Sequence, residues 1–229
     1  MPGGLQPHSS MTRPAGIKDR PFVVVKDLSK RYGPNWALAR ATFGVDRGEL
    51  ALLTGANGSG KTTLIRCLST GLIPDFGRAS IGGSDLVGDR EQVRRRVAGL
   101  SVPAGVYGGL SARENLALVD SVLGLSKASS IDAALDRVGL TAKKDAPLDS
   151  YSAGMKQRFA LARLLLLERD LILLDEPETH LDGLGLKLLQ ELIAEWKARG
   201  AAILCATHSP DRFEGVTSLV VRLVEGRAA

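Results

Sequence analysis

The chain is poor in the residues that staple or span. Only two cysteines occur among 229 residues, Cys67 and Cys205. Both lie in apolar surroundings, so a disulfide framework and a cysteine-bound metal cluster are excluded, leaving two buried thiols of a reducing compartment. Histidine is nearly as scarce, with three residues. No apolar run reaches the roughly eighteen residues needed to cross a bilayer. The richest stretch, Phe159 to Leu167, is interrupted by Arg163 and followed by Glu168, Arg169 and Asp170. Internal repeats are absent too. Residues 1–20 are rich in Pro, Gly and polar side chains, without the apolar core of a signal peptide. They read as a disordered leader, in which Met11 is a second candidate start.

What is present describes an ordinary globular chain. Hydrophobic residues make up 44% and charged residues 24%, enough for one packed domain but not for two full cores. The formal net charge of +5 suits an anionic partner without choosing among nucleotide phosphates, lipid headgroups and nucleic acid. The basic run Arg94, Arg95, Arg96 has helical surroundings and reads as a solvated helix face.

Strand-like and helix-like segments alternate at both ends. Phe22 to Val25, Ala37 to Val45, Glu49 to Thr54, Ala79 to Ile81, Leu171 to Leu174, Ala201 to Ala206 and Ser218 to Val224 read as strands. Apolar spacing predicts helices from Lys61 to about Leu72 and from Gly183 to Arg199. Between them, Glu91 to Val97, Ala112 to Leu123, Ser130 to Val138 and Ala153 to Leu167 carry helical spacing. The pattern predicts an α/β fold with a mainly parallel core sheet and a helical insert from about 87 to 167.

Chemistry enters at Gly55-Ala56-Asn57-Gly58-Ser59-Gly60-Lys61-Thr62, followed by Thr63. Every fixed position of the P-loop pattern is filled, between a predicted strand and a predicted helix. Glycines let successive backbone N–H groups turn toward phosphate oxygens, and the helix beginning at Lys61 points its positive end at the same anion. The Lys61 ammonium neutralises phosphate charge and the Thr62 hydroxyl can hold Mg²⁺. The competing reading, a Gly-rich turn, does not account for the strand and helix on either side. Downstream, Leu171-Ile172-Leu173-Leu174-Asp175-Glu176-Pro177 is an apolar strand ending in two carboxylates. Asp175 suits Mg²⁺ and Glu176 suits the activation of an attacking water.

Further motifs narrow the class. Tyr151-Ser152-Ala153-Gly154-Met155-Lys156-Gln157-Arg158, just ahead of the acidic strand, resembles the signature sequence of ABC ATPases. Tyr32 precedes the P-loop, Leu181-Asp182 follows the acidic strand, and His208 follows an apolar strand, all in that family's order. On these residues the chain, from about Phe22 to Gly226, resembles an ABC transporter ATP-binding subunit. The resemblance implies a P-loop core with an antiparallel β part and a helical subdomain, the ATPase domain running over 21–229. It implies ATP and Mg²⁺ as ligands, with no other metal. Tyr32 would stack on adenine, with Trp36 in reserve, and His208 would contact the γ-phosphate. Ser152, Ala153, Gly154 and Met155 would face the ATP of a second ATP-binding subunit, homo- or heterodimeric, with Asp182 in the loop that touches it. It further implies a transmembrane permease partner, no direct nucleic-acid contact, and a cytoplasmic position on the inner face of the cell membrane.

Two departures from the pattern are visible. The family's glutamine before the helical subdomain is missing, its place falling on Val102 or Pro103, and the signature carries Ala153 and Met155 where the family has glycine and glutamine. Both point to slower hydrolysis. Within the family, the short single-domain chain looks most like exporter ATPases, the haem exporter of cytochrome c biogenesis above all. Two other classes fit parts of the sequence: a non-transport ABC ATPase acting on nucleic acid or ribosomes, and a regulatory subunit that binds ATP with little hydrolysis. The span from Ile65 to Ser152 leaves no room for the coiled coil of repair-type members.

Overall fold

The structure, a computed structural model, describes residues 21–100 and 106–228. The expected leader and the positions aligned with the missing glutamine, Val102 and Pro103, lie outside the described residues.

Two sheets organise the chain. The first is antiparallel and holds β1 (Val23–Tyr32), β2 (Asn35–Val45), β4 (Phe76–Ile81) and β5 (Ser84–Asp85), in the order β2-β1-β4-β5. The second holds β3 (Leu50–Thr54), β6 (Val97–Leu100), β7 (Leu171–Asp175), β8 (Ala202–Ala206), β9 (Leu219–Val224) and β10 (Arg227–Ala228), in the order β10-β9-β3-β8-β7-β6. From β9 to β6 every pairing is parallel, and β10 folds back antiparallel on β9.

The central strands β3, β7 and β8 are nearly continuous apolar runs because both faces are covered. Side chains alternate across the sheet. Leu50, Leu52, Ile172, Leu174, Ile203 and Cys205 join one core. It is completed by Leu116 of α3 (Ala112–Leu123), Leu135 of α4 (Ile131–Arg137), Phe159 of α5 (Ala153–Leu167) and Leu189 of α6 (Gly183–Ala198). Their neighbours Ala51, Leu53, Leu171, Leu173, Leu204 and Ala206 face a second core. That one is built with Leu64 and Ile65 of α1 (Lys61–Leu68), Val93 of α2 (Arg90–Arg96) and the antiparallel sheet. Truncating a fully buried leucine such as Leu53 or Leu189 costs about 2–5 kcal/mol.

Caps explain several boundaries. Ser111 and Glu114 form a reciprocal capping box at the start of α3, and Gly124 ends it in the left-handed region. α1 stops at Leu68 rather than continuing to Leu72. Thr70 takes φ 62, where its carbonyl accepts from Arg90 Nη2 at 2.7 Å and its Oγ1 from Arg94 Nε at 2.9 Å. Arg94 of the basic run belongs to that network, while its neighbours pair separately, Arg95 with Glu91 at 2.8 Å and Arg96 with Asp170 at 3.4 Å. After the seven residues of α2, the chain enters β6 alongside β7, a four-residue strand too short to show period-two spacing. The all-helical stretch therefore begins at Ala112. Both cysteines are buried and unbridged. Burial pushes the Cys67 thiol up to about 11 and the Cys205 thiol well above its ordinary value, so neither is reactive.

Candidate functional site

The P-loop leaves β3 at Thr54 and enters α1 at Lys61. Its shape is set by contacts that only glycine permits. A Cβ on Gly55 (φ 147) would lie 2.3 Å from the Leu223 carbonyl oxygen, and one on Gly60 (φ 103) 2.2 Å from that of Ala37. The loop is thus threaded between β9 and β2. The β9–β10 turn closes it from behind: the Gly226 N–H donates to the Ser59 carbonyl at 3.1 Å, and the Gly226 carbonyl accepts from Ala39 N–H at 2.8 Å. A trans peptide points its C=O and N–H in opposite directions. Tying the Ser59 carbonyl to Gly226 therefore turns the Gly60 N–H away from β10. Ala56, Asn57 and Gly58 are exposed, Thr62 is exposed, and Thr63 is half-buried. Lys61 is 6% exposed, its Nζ donating to the carbonyls of Gly55 at 2.8 Å and Ala56 at 3.1 Å. Ser59 Oγ is buried without a hydrogen-bond partner among the described residues.

The carboxylates converge on this loop from β7. Thr62 Oγ1 donates to Asp175 Oδ1 at 3.3 Å. Burial pushes the Asp175 carboxyl above the usual range, opposed by that hydrogen bond. A hydroxyl and a carboxylate this close form a hard oxygen donor pair of the kind Mg²⁺ takes. The β7–β8 register, Asp175 opposite Ala206, brings the next residues of both strands side by side. Glu176 takes φ 49, its N–H donates to the Ala206 carbonyl at 2.9 Å, and its Oε1 lies 2.5 Å from His208 Nε2. A non-glycine residue in this conformation carries strain of a kind that clusters at functional sites.

The signature residues sit at the start of α5. Ser152 is the N-cap, accepting from Met155 N–H at 3.3 Å, and Ser152 and Ala153 are exposed. Gly154 is a close approach, since a Cβ there would meet the His180 carbonyl at 2.8 Å. Asp182 caps α6, accepting from Gly185 N–H at 2.7 Å and from Arg158 Nη2 at 2.9 Å. These bonds, Gly185 first, hold its carboxyl below the usual range. Among the described residues no hydrogen bond joins Ser152–Met155 to Gly55–Thr63 of the same chain.

Tyr32 lies at the tip of the β1–β2 hairpin, half exposed at 50%. Trp36 is engaged elsewhere, its ring centroid 5.9 Å from that of Phe76. Tyr32 has no ring contact among the described residues, which makes it the freer platform.

Reading the sequence missed several participants. Gly226 is 166 or more positions from the loop it braces, and no local pattern announces that pairing. Gln157 and Arg158 stand inside the signature, yet their partners are distant: Gln157 Nε2 donates to the Pro177 carbonyl at 2.8 Å. Glu178 and Thr207 meet as a buried pair. Glu178 offered a signal, an acid directly after Asp-Glu-Pro, whereas Thr207 offered none.

The family model described as ABC transporter matches residues 38–179. The bacitracin transport ATP-binding protein BcrA of Bacillus licheniformis is 34% identical over 90% of this chain and 68% of its own length. The cytochrome c biogenesis ATP-binding export protein CcmA 1 of Cupriavidus metallidurans is 35% identical over 89% of this chain and 98% of its own. A solved structure described as the ATP-binding subunit of an ABC transporter superposes with a TM-score of 0.83 at 35% identity, covering 90% of this chain and 88% of the other. The chain belongs to the ABC transporter family, as an ATP-binding subunit that hydrolyses ATP.

Proposed function

We propose that this subunit powers export through a separate membrane-spanning permease, working as a dimer with ATP held between two copies or between this chain and a related one. Residues 21–229 act as one ATPase domain, with a helical subdomain from α3 to α5, narrower than the stretch of about 87–167 expected from sequence because β6 joins the core sheet, carrying the signature. The observation that carries the reading is the division of the site. Lys61, Thr62, Asp175, Glu176 and His208 converge, whereas among the described residues exposed Ser152 and Ala153 make no hydrogen bond to their own P-loop.

The roles follow from the chemistry. Backbone N–H groups from Gly55 to Thr63, the α1 N-terminus and Lys61 bind the phosphates. Thr62 and Asp175 would hold Mg²⁺, which supplies charge neutralisation at the β- and γ-phosphates when bound. Glu176 accepts a proton from the attacking water, and His208 orients Glu176 and the γ-phosphate. Tyr32 stacks on adenine. Ser152, Gly154 and the α5 N-terminus complete the phosphate shell of the opposite copy, with Ala153 and Met155 shaping that turn and Asp182 at the seam. Among the described residues no helix is long and apolar enough to cross a membrane. Attachment to the inner face of the membrane would thus run through the permease. Export is favoured by CcmA 1, an export protein matched over nearly its whole length, and haem is the cargo to test first.

Glu176→Gln tests the dimer and the chemistry together. The variant keeps ATP but loses turnover by about a hundredfold or more, because an amide cannot take the proton. With ATP and Mg²⁺ it elutes as a dimer in sizing chromatography. A monomeric elution under those conditions rejects the shared site. For the cargo, the chain is expected to restore cytochrome c assembly in a strain lacking its haem-export ATPase. Failure there with intact ATPase activity directs the search to other exported molecules.

A further inference from the structure

A second pair of side chains crosses from the end of β7 to the end of β8, beside Glu176 and His208. Thr207 Oγ1 donates to Glu178 Oε1, and the same hydroxyl oxygen accepts from Ser209 N–H at 2.9 Å. Thr207 is 1% exposed and Glu178 6%. Glu178 Oε2 is buried with no hydrogen-bond partner among the described residues. The backbone on both sides is anchored: Thr207 N–H donates to the Leu53 carbonyl at 3.2 Å, and the Glu178 carbonyl accepts from Leu181 N–H at 3.3 Å.

A carboxyl group withdrawn from water and given a single hydroxyl donor is an unfavourable way to fill space. An apolar side chain of similar volume would be less costly if packing were the only demand. The geometry shows what the bond does. Glu176 and Glu178 stand two residues apart in the segment just past β7 and reach the successive residues His208 and Thr207 just past β8. Thr207 and Ser209 flank His208, and the hydroxyl held by Glu178 also holds the Ser209 N–H. The turn 207–209 is therefore pinned on both sides of the imidazole whose Nε2 stands 2.5 Å from Glu176.

We propose that Glu178 is a positioning residue for ATP hydrolysis, acting through Thr207 to set the position of His208 against Glu176. The proposal rests on the roles given above to His208 and Glu176. It requires no titration of Glu178, only its acceptor oxygen, so Glu178→Gln keeps the function and Glu178→Ala does not.

The test compares Glu178→Ala, Glu178→Gln, Thr207→Val, Thr207→Ser and the Glu178→Ala/Thr207→Val double variant in the full chain. Turnover, KM for ATP, ATP affinity and thermal midpoint are measured with Mg²⁺. Glu178→Ala and Thr207→Val are each expected to lower kcat about tenfold or more, since small displacements of catalytic groups are costly. ATP affinity and KM stay within about twofold, because the phosphate loop is untouched. Thr207→Ser and Glu178→Gln retain most of the turnover. The double variant is no worse than the worse single one, as expected for two ends of one bond. His208→Ala and Glu176→Gln serve as references. If they leave turnover intact, the assignment of the catalytic pair fails. If they abolish it while Glu178→Ala and Thr207→Val turn over like the wild type, the positioning role is overturned and the catalytic pair stands. A fall in ATP affinity and thermal midpoint that matches the fall in kcat also overturns it, leaving Glu178 a packing residue. Should Glu178→Ala not fold, the Thr207→Val and Thr207→Ser pair decides: wild-type kcat in Thr207→Val rejects the proposal.

Discussion

The P-loop and the signature helix hold their places by different means. The loop is fixed by backbone: glycines without room for a Cβ, the Gly226 N–H on the Ser59 carbonyl, and a strand and helix at either end. The start of α5 is fixed by side chains reaching across to the segment between β7 and α6. Gln157 meets Pro177, Arg158 meets Asp182, and Gly154 packs on the His180 carbonyl. A backbone cradle is formed before its anion arrives and tolerates little change. A helix tied by a few side-chain bonds can be loosened one bond at a time, leaving the cradle whole. Damage to the first region should therefore appear in ATP binding, and damage to the second in turnover.

The largest expected effect is at Lys61. Lys61→Ala removes the cation proposed to face the phosphates and should weaken ATP binding, and with it abolish measurable turnover, a loss of about a hundredfold or more. Near-normal ATP affinity and turnover would break the assignment of the loop.

Next is the brace behind the loop. Gly226 has φ 78, and a Cβ there would lie 2.9 Å from the Ala37 carbonyl oxygen and the Leu38 Cα. Gly226→Ala carries about 1–3 kcal/mol of backbone strain. It should lower the thermal midpoint and weaken ATP binding, measured by titration against the wild type. Unchanged affinity would show that the P-loop keeps its shape without the β9–β10 turn.

The smallest effect is expected at the helix tether. The Arg158–Asp182 bond has one well-exposed partner, so it contributes about 1 kcal/mol or less. Arg158→Ala should lower turnover a few-fold with ATP affinity unchanged in the same titration. A change in affinity instead of turnover would erase the contrast between the two regions.

The legibility of the molecule follows the same division. The P-loop, the Asp175–Glu176 strand end and the Ser152 cap are short, contiguous patterns whose residue types follow from local requirements. Glycine is needed where no Cβ fits, carboxylates lie at a strand tip, and a hydroxyl caps a helix start. The apolar runs of β3, β7 and β8 announced strands buried on both faces. β6 was harder to read because four residues after a charged helix carry no distinctive period. α1 overran its true end because Thr70 turns left-handed only through partners on α2, twenty and more positions away.

Residue order alone therefore determined that the chain carries a P-loop, two carboxylates at a strand tip and a signature-like helix start, since each is encoded within a few neighbours. Tertiary structure alone decided which of these meet. The parallel register of β7 and β8 sets Glu176 against His208 and Glu178 against Thr207, and the β9–β10 turn meets the P-loop from the far end of the chain. Those meetings depend on strand order and register, which arise from packing both faces of the sheet at once and leave no mark in any short stretch of sequence.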